Sequence, residues 1–289
     1  MQSFSHVAAS LGPTTLFVLL WSSGALFARW GLDHASPFAF LCMRFGLALA
    51  VLSLVSLRRG AWWPRPGTRG LTAATGAVLV GGYSVFYLLA LDRGVTPGLL
   101  ATILGVQPLA TLACTERPLQ RKRLAGLGLA LAGLAMVVLD SLLAARAAPM
   151  GLACALLALA CMTAGTLMQK RLQQSPLEVL PLQYTVALAM CAALLPLEAV
   201  RVEWSAGLLV TVGWLGVVIS VVATLLLYRL IAAGNLVNVT SLFYLVPAGT
   251  AALDWLVLGH TMAPVALLGT GAVLAGLVLV YRTPAATTG

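Results

Sequence analysis

The chain consists of ten long hydrophobic runs separated by short polar segments. Each run has about 20 residues without strand-like alternation of apolar and polar positions, and a helix of that length crosses a hydrocarbon core of roughly 30 Å. The runs cover residues 13–32, 36–57, 70–91, 95–115, 122–141, 150–169, 177–197, 206–229, 236–258 and 262–281. The pattern predicts an all-α polytopic membrane protein with ten transmembrane helices.

The composition indicates that lipid surrounds most of the chain. Hydrophobic residues make up 61% of the sequence and charged residues only 9%, whereas a typical soluble domain is roughly 25% charged. A soluble protein of 289 residues needs more polar surface than this to cover its core. The composition therefore argues against a soluble all-helical protein.

The second half of the sequence repeats landmarks of the first half at an offset of 139 to 143 residues. The corresponding pairs are Gly24 and Gly165, Ser36 and Ser175, Gly94 and Gly234, Pro108 and Pro247, Gly126 and Gly269, Gly128 and Gly271, and Gly133 and Gly276. We therefore predict two repeats of five helices each, residues 1–145 and 146–289.

The distribution of basic residues predicts how the helices are oriented. With the N-terminus inside, 12 of the 17 Lys and Arg residues fall in cytoplasmic segments, four fall on the opposite side, and Arg44 lies within a run. Because Lys and Arg concentrate on the cytoplasmic side, both termini are expected in the cytoplasm. The net charge of +9 then follows from membrane topology, so no nucleic-acid partner is expected.

Five helices per repeat is an odd number, so the second repeat must enter the membrane upside-down. The loop charges agree with this inversion. The loop between the second and third runs has a net charge of +4, whereas the corresponding loop between the seventh and eighth has −1. Inverted repeats of this kind are typical of secondary transporters, whose substrate sites lie near the bilayer midplane between the two copies.

Several short motifs carry a resemblance to a known family. They are Trp21-Ser-Ser-Gly24, Ser36-Pro37 leading to Arg44-Phe45, Ala90-Leu-Asp-Arg-Gly94, Gln107-Pro108, Glu116-Arg117 and the Gly126/Gly128/Gly133 helix. In these motifs and their duplication the chain resembles the drug/metabolite transporter superfamily with two EamA-type repeats, and it is similar to the YddG branch of amino-acid exporters. The second copy departs from the pattern at Gln183-Tyr184, which replaces Arg44-Phe45, and at His260, near the usual glutamate.

The resemblance implies a secondary transporter in the inner membrane that exports small metabolites by alternating access. The expected substrates are amino acids, aromatic or otherwise neutral, moved by facilitated diffusion and without a cofactor. A proton-coupled drug/metabolite antiporter is the alternative. The expected partners are the small-molecule substrate and the lipid bilayer, with the chain a monomer or a weak homodimer.

A membrane-embedded enzyme is a more remote alternative. It needs clustered carboxylates for a metal, or a nucleophile with a nearby base. The predicted interior supplies only Arg44 and, near its edge, Asp254, and the five cysteines form no metal-binding motif. We therefore expect no enzymatic activity, no catalytic residue and no metal site.

A pair of prolines points to the substrate site. Pro108 and Pro247 occupy corresponding positions, and proline removes a helix hydrogen bond, which is tolerated in a membrane only against protein or a wet cavity. Alternatively, the two prolines only form packing kinks that both repeats inherited by duplication.

Aromatic and amide groups lie at similar depths, and they either line a cavity or only pack between helices. The predicted substrate-binding residues are Trp21, Tyr83, Tyr87, Gln107, Pro108, Met162, Tyr244 and Pro247.

A second set of residues is assigned structural or gating roles. Arg44 lies about 12 Å along its run, where a charge must face the interior and find a partner. It either holds helices together or binds a substrate carboxylate. Asp254 either takes up a proton or pairs near the interface. The glycines are expected to let two helices pack closely, between repeats or between protomers. The set comprises Arg44, Gln183, Asp254, Gly126, Gly128, Gly269 and Gly271.

The orientation can be tested with impermeant thiol reagents. In a cysteine-free background, the Arg59→Cys variant should react only in inside-out vesicles and the Glu203→Cys variant only in right-side-out vesicles, because their loops are predicted on opposite sides. The reverse pattern, or equal labelling in both vesicle types, would contradict the predicted topology.

Overall fold

The structure is a computed structural model that describes residues 2–60, 63–116, 118–139, 143, 148–249 and 264–283, with only the backbone for residues 2–11. Asp254 and His260 lie outside the described residues. The roles considered for Asp254 therefore stay predictions.

The described residues form a bundle of apolar helices. In chain order these are α1 Gln2–His34, α2 Pro37–Arg58, α3 Arg69–Asp92, α4 Pro97–Thr115, α5 Arg121–Val137, α6 Pro149–Arg171, α7 Pro176–Leu197, α8 Ala206–Ala233, α9 Leu236–Gly249 and α10 Pro264–Arg282. Eight are long and apolar enough to cross a membrane, with α9 shorter and α5 only 17 residues long within the described ranges. A helical, multi-pass membrane protein is confirmed, whereas the count of ten crossings and the side of the termini stay predictions.

The helices begin where the sequence supplies a cap or a proline. Proline occupies the first turn of α2, α4, α6 and α7, a position at which its missing N–H costs no helix hydrogen bond. The Thr96 side chain accepts from Leu99 N at 3.3 Å, and Asn235 accepts from Asn238 N at 3.2 Å. These local signals fix the turns between antiparallel neighbours. All described helices therefore begin and end near one of two ends of the bundle.

At one end, which we call the His34 end, a loop of the second half caps two helices of the first. The Glu198 carboxylate accepts hydrogen bonds from Ser36 Oγ at 2.8 Å and Ala39 N at 3.0 Å, at the start of α2. The Arg201 guanidinium donates to Leu32 O at 2.8 Å, near the end of α1. A carboxylate at a helix N-terminus and a cation at a C-terminus both oppose the helix dipole. The α7–α8 loop thereby joins the two halves.

At the other end, the Thr115 end, a buried ion pair ties four helices together. Arg123 and Glu116 are 1% and 2% exposed, with Arg123 Nη2 3.3 Å from Glu116 Oε1. The same nitrogen donates to Asn235 Oδ1 at 3.1 Å and to Asn238 Oδ1 at 2.7 Å, at the start of α9. Arg123 Nη1 reaches Thr283 O, just after α10, at 3.4 Å. The pair thus links α4 and α5 of the first half to α9 and α10 of the second.

The helices α5 and α10 pack with their backbones in close contact. A side-chain carbon added at Gly133 would lie 2.6 Å from Gly269 O, and one added at Gly126 would lie 2.9 Å from Gly276 O. Small residues at this spacing let two helices approach closely. The contact joins the two halves. Gly128 and Gly271, in contrast, have open space around the position of a Cβ atom and lie outside this contact.

Two glycines of α5 form a matched pair for a test of this packing. We expect Gly133→Leu to lower the apparent melting temperature in detergent by roughly 3–10 °C, because overpacking costs about 1–3 kcal/mol. Gly128→Leu should leave it within about 2 °C, because its position is open. Equal shifts for the two variants would contradict the packing described here.

Candidate substrate cavity

A cavity of about 140 Å³ lies in the middle of the bundle, between helices of both halves. Its walls come from α1–α4 of the first half and from α6–α9 of the second half. In α4 the lining extends from Pro97, the first residue of the helix, to Gln107 and no further. Along α4, the cavity therefore lies on the half of the helix nearer to the His34 end.

Two corresponding stretches of wider helix form part of the wall. Residues Gly76–Gly82 of α3 and Trp214–Ala223 of α8 are π-helical rather than α-helical. The two stretches are related by the repeat offset. A π-helical turn rotates the residues that follow it relative to an α-helix, and such turns occur frequently at functional sites. Here they precede Tyr83 and Thr224, which both line the cavity.

Helix breaks also occur in α4 and α9. In α4 the helix Pro97–Leu104 is followed by a turn and then by Gln107–Thr115, and in α9 the 3₁₀ turn Leu242–Tyr244 precedes Pro247. The breaks stand in corresponding positions before the two prolines. Gly105, Gln107 and Pro247 line the cavity at these breaks.

Arg44 supplies the cavity's one guanidinium group among the residues described as lining it. Its Nε donates to Ser220 Oγ at 2.9 Å, and its Cζ lies 5.6 Å from the centre of the Phe45 ring. No described carboxylate lies within ion-pairing distance of it. Since a charge in this setting needs an opposite charge or strong hydrogen bonds, the free edge of the guanidinium is suited to an anionic group.

Aromatic rings form a large part of the wall. The Trp21 ring packs edge-on against Phe243 with centroids 5.4 Å apart, and the Tyr83 and Tyr87 rings lie 5.6 Å apart. An apolar pocket with a few polar groups is the usual setting for a small-molecule ligand.

An amide lies at the cavity's inner limit, on the side of the Thr115 end. Gln107 Nε2 donates to Thr166 Oγ1 of α6 at 3.4 Å, while Gln107 Oε1 is buried and has no hydrogen-bond partner among the described residues.

The second predicted amide, Gln183, does not line the cavity but lies behind its wall. It donates to Gln169 Oε1 at 2.9 Å and accepts from Tyr228 OH at 2.6 Å, so it joins α6, α7 and α8.

Comparison with known proteins identifies the family. The model of the EamA-like transporter family matches residues 14–139 and 149–282. The chain belongs to the EamA-like transporter family. It is therefore a multi-pass membrane transporter of small molecules. A search of curated proteins gives no match to this chain.

The fold of this EamA-like transporter is also found among solved structures. A crystal structure titled only "Crystal structure of protein" matches with a TM-score of 0.80 at 20% sequence identity, over 95% of this chain and 98% of its own. At this identity the likeness shows the fold alone.

Six of the eight predicted substrate-binding residues line the cavity of this EamA-like transporter: Trp21, Tyr83, Tyr87, Gln107, Met162 and Pro247. Pro108 and Tyr244 lie outside it. Pro108 follows Gln107 by one residue and is turned about 100° away around the helix. Tyr244 is fully buried in a separate apolar cluster with Leu112 and Leu127.

Phe243 and Ser220 are among the lining or supporting residues that sequence analysis missed. Phe243 faces Trp21 in the cavity, and its spacing of three and four residues from Val246 and Pro247 is the available signal. Ser220, the partner of Arg44, lies within the π-helical stretch of α8. Its direction depends on the local hydrogen-bond register, which the sequence pattern does not indicate.

The hydrogen bond from Tyr228 can be tested as a support of the wall. We expect Tyr228→Phe to lower the apparent melting temperature by about 2–6 °C, because it leaves the buried Gln183 oxygen without this donor. Tyr87→Phe is the control, since the Tyr87 hydroxyl has no hydrogen bond to a described residue. A similar loss for both variants would show that the bond itself contributes nothing measurable.

Proposed function

We propose that this EamA-like transporter exports amino acids, aromatic or otherwise neutral, by alternating access and facilitated diffusion. The observation that carries the proposal is Arg44, a guanidinium without a described carboxylate partner in a cavity walled mainly by aromatic and apolar groups. A carboxylate is the planar anion that a guanidinium binds with two parallel hydrogen bonds.

The rest of the cavity has the chemistry that such a substrate needs. The rings of Trp21 and Phe243 offer apolar surface to a neutral or aromatic side chain. An ammonium group needs acceptors, and Tyr83 and Tyr87 supply two hydroxyl oxygens and two ring faces.

Facilitated diffusion is favoured over proton antiport by the ionisable groups of the cavity. Among the described residues that line it there is no Asp, Glu, His or Lys. Proton-coupled carriers use such groups within the membrane to take up and release the proton. Antiport remains the second candidate through Asp254, whose predicted position is near the end of the ninth run.

The proposed setting is the inner membrane with both termini in the cytoplasm. In that orientation the His34 end, towards which the cavity extends, is the outer side. The two halves, residues 1–145 and 146–289, are the units that we expect to rock about the cavity. Export then follows from a higher substrate concentration inside, and a monomer or weak homodimer suffices.

The proposed role of Arg44 can be tested by comparing ligands with and without a carboxylate. In proteoliposomes, the wild-type protein should take up labelled tryptophan and be inhibited at least about tenfold more strongly by tryptophan than by tryptophanamide, which lacks the carboxylate. Arg44→Gln should lose most of that preference, because no guanidinium remains to bind the carboxylate. Arg29→Gln, an exposed arginine beside Asp33, is the matched control.

Three outcomes would contradict the proposal. If Arg44→Gln retains the full preference, Arg44 does not bind the substrate carboxylate. If no amino acid in a panel shows saturable flux, the substrate class is wrong. If flux requires an imposed proton gradient, antiport replaces facilitated diffusion.

A further inference from the structure

A second cavity lies at the Thr115 end of the bundle, on the far side of Gln107 from the first. Its lining includes Cys114 and Thr115 of α4, Leu167 and Lys170 of α6, and Asn235 and Leu236 at the start of α9. The two cavities share the helices α4, α6 and α9 but no lining residue. The contact between α4 and α6, which includes the Gln107–Thr166 hydrogen bond, runs from one cavity to the other.

Polar residues follow this contact from one cavity to the other. On α4, Gln107, Thr111 and Thr115 recur every four residues, so they share one face of the helix. On α6, Thr163 and Lys170 are seven residues apart and therefore lie on one face of the helix. Gln107 and Thr166 are hydrogen-bonded across the contact. We call Gln107, Thr111, Thr163 and Thr166 the α4–α6 seam.

Several buried polar groups of the seam lack hydrogen-bond partners. Gln107 Oε1, Thr111 Oγ1 and Thr163 Oγ1 are all buried and have no hydrogen-bond partner among the described residues. A buried polar group without a partner destabilises the structure, and valine would fill the space of threonine without that cost. Three such groups in one helix contact are therefore unfavourable if the contact is permanently closed.

Duplication does not account for the unpaired hydroxyl of Thr163. Ser22 of α1 corresponds to Thr163 of α6 at the repeat offset of 141 residues. The Ser22 hydroxyl donates to Val18 O at 2.7 Å. The corresponding position of the first half is thus satisfied, and the feature belongs to the α4–α6 contact.

We propose that the α4–α6 seam is the closed half of the transport path, which opens to connect the central cavity with the second cavity. In the open state water and substrate meet the seam, and the three unpaired groups gain hydrogen bonds. The polar residues thus lower the free energy of the open state relative to the closed one. This inference rests on the proposed transport function and adds the route that the substrate takes.

Thiol accessibility tests the route directly. In a background in which the five native cysteines are replaced, Thr111→Cys and Thr163→Cys are introduced singly and reacted with a charged methanethiosulfonate reagent during substrate exchange. Both should react at least about tenfold faster than Leu112→Cys and Ala155→Cys. These controls lie on the same helices and are fully buried in apolar clusters.

A second pair of variants separates a gating role from a structural one. Thr111→Val and Thr163→Val should raise the apparent melting temperature and lower the maximal flux about three- to tenfold, because both favour the closed seam. The half-saturating concentration from the side of the central cavity should change less than twofold. Thr102→Val, whose hydroxyl is already bonded to Gly98 O, should leave the flux unchanged.

The outcomes distinguish this inference from the transport proposal. If the wild-type protein carries no amino acid, the proposed function fails, and accessibility is then measured without substrate as a test of seam opening alone. If flux is intact but the seam cysteines react no faster than the buried controls, the path lies elsewhere. Unchanged flux in both valine variants would likewise overturn the inference.

Discussion

The structure depends on one constraint, which is that a charge removed from water needs an opposite charge or several hydrogen bonds. Three charged groups meet it in different ways. Arg123 is buried against Glu116 and two asparagine oxygens, and Glu198 accepts backbone N–H groups at a helix start. Lys170 donates to carbonyl oxygens at the end of α8, including Ile231 O at 2.6 Å. Arg44 alone among these groups keeps part of its hydrogen-bonding capacity for the cavity.

Paired charges hold the two halves together at the ends of the bundle. Glu198 and Arg201 act across the halves at the His34 end, and Arg123 acts across them at the Thr115 end. The glycine contact between α5 and α10 joins the halves along a flank. None of these contacts crosses the cavity itself. The middle of the molecule is therefore where the two halves face each other through side chains that can exchange partners.

Local properties made the helices and most of the cavity predictable. Length and hydropathy locate a membrane helix, and depth along it brought Trp21 and Tyr83 to the right level. Rotation about the helix axis was less predictable. A 3₁₀ turn at residues 242–244 directs Phe243 inward and Tyr244 into another cluster, and a π-helical stretch directs Ser220 towards Arg44. Such registers depend on packing against neighbouring helices, which hydrophobic periodicity does not record.

The two repeats share their helical framework but differ in the side chains that they present to the cavity. Arg44 and Gln183 occupy corresponding positions in α2 and α7. Gln183 is satisfied behind the wall by Gln169 and Tyr228, while Arg44 reaches the cavity. A single cation contributed by one half makes the cavity electrostatically one-sided, although its helices are nearly symmetric. In the transport cycle proposed above, this asymmetry holds a substrate with one carboxylate in one orientation while the halves move around it.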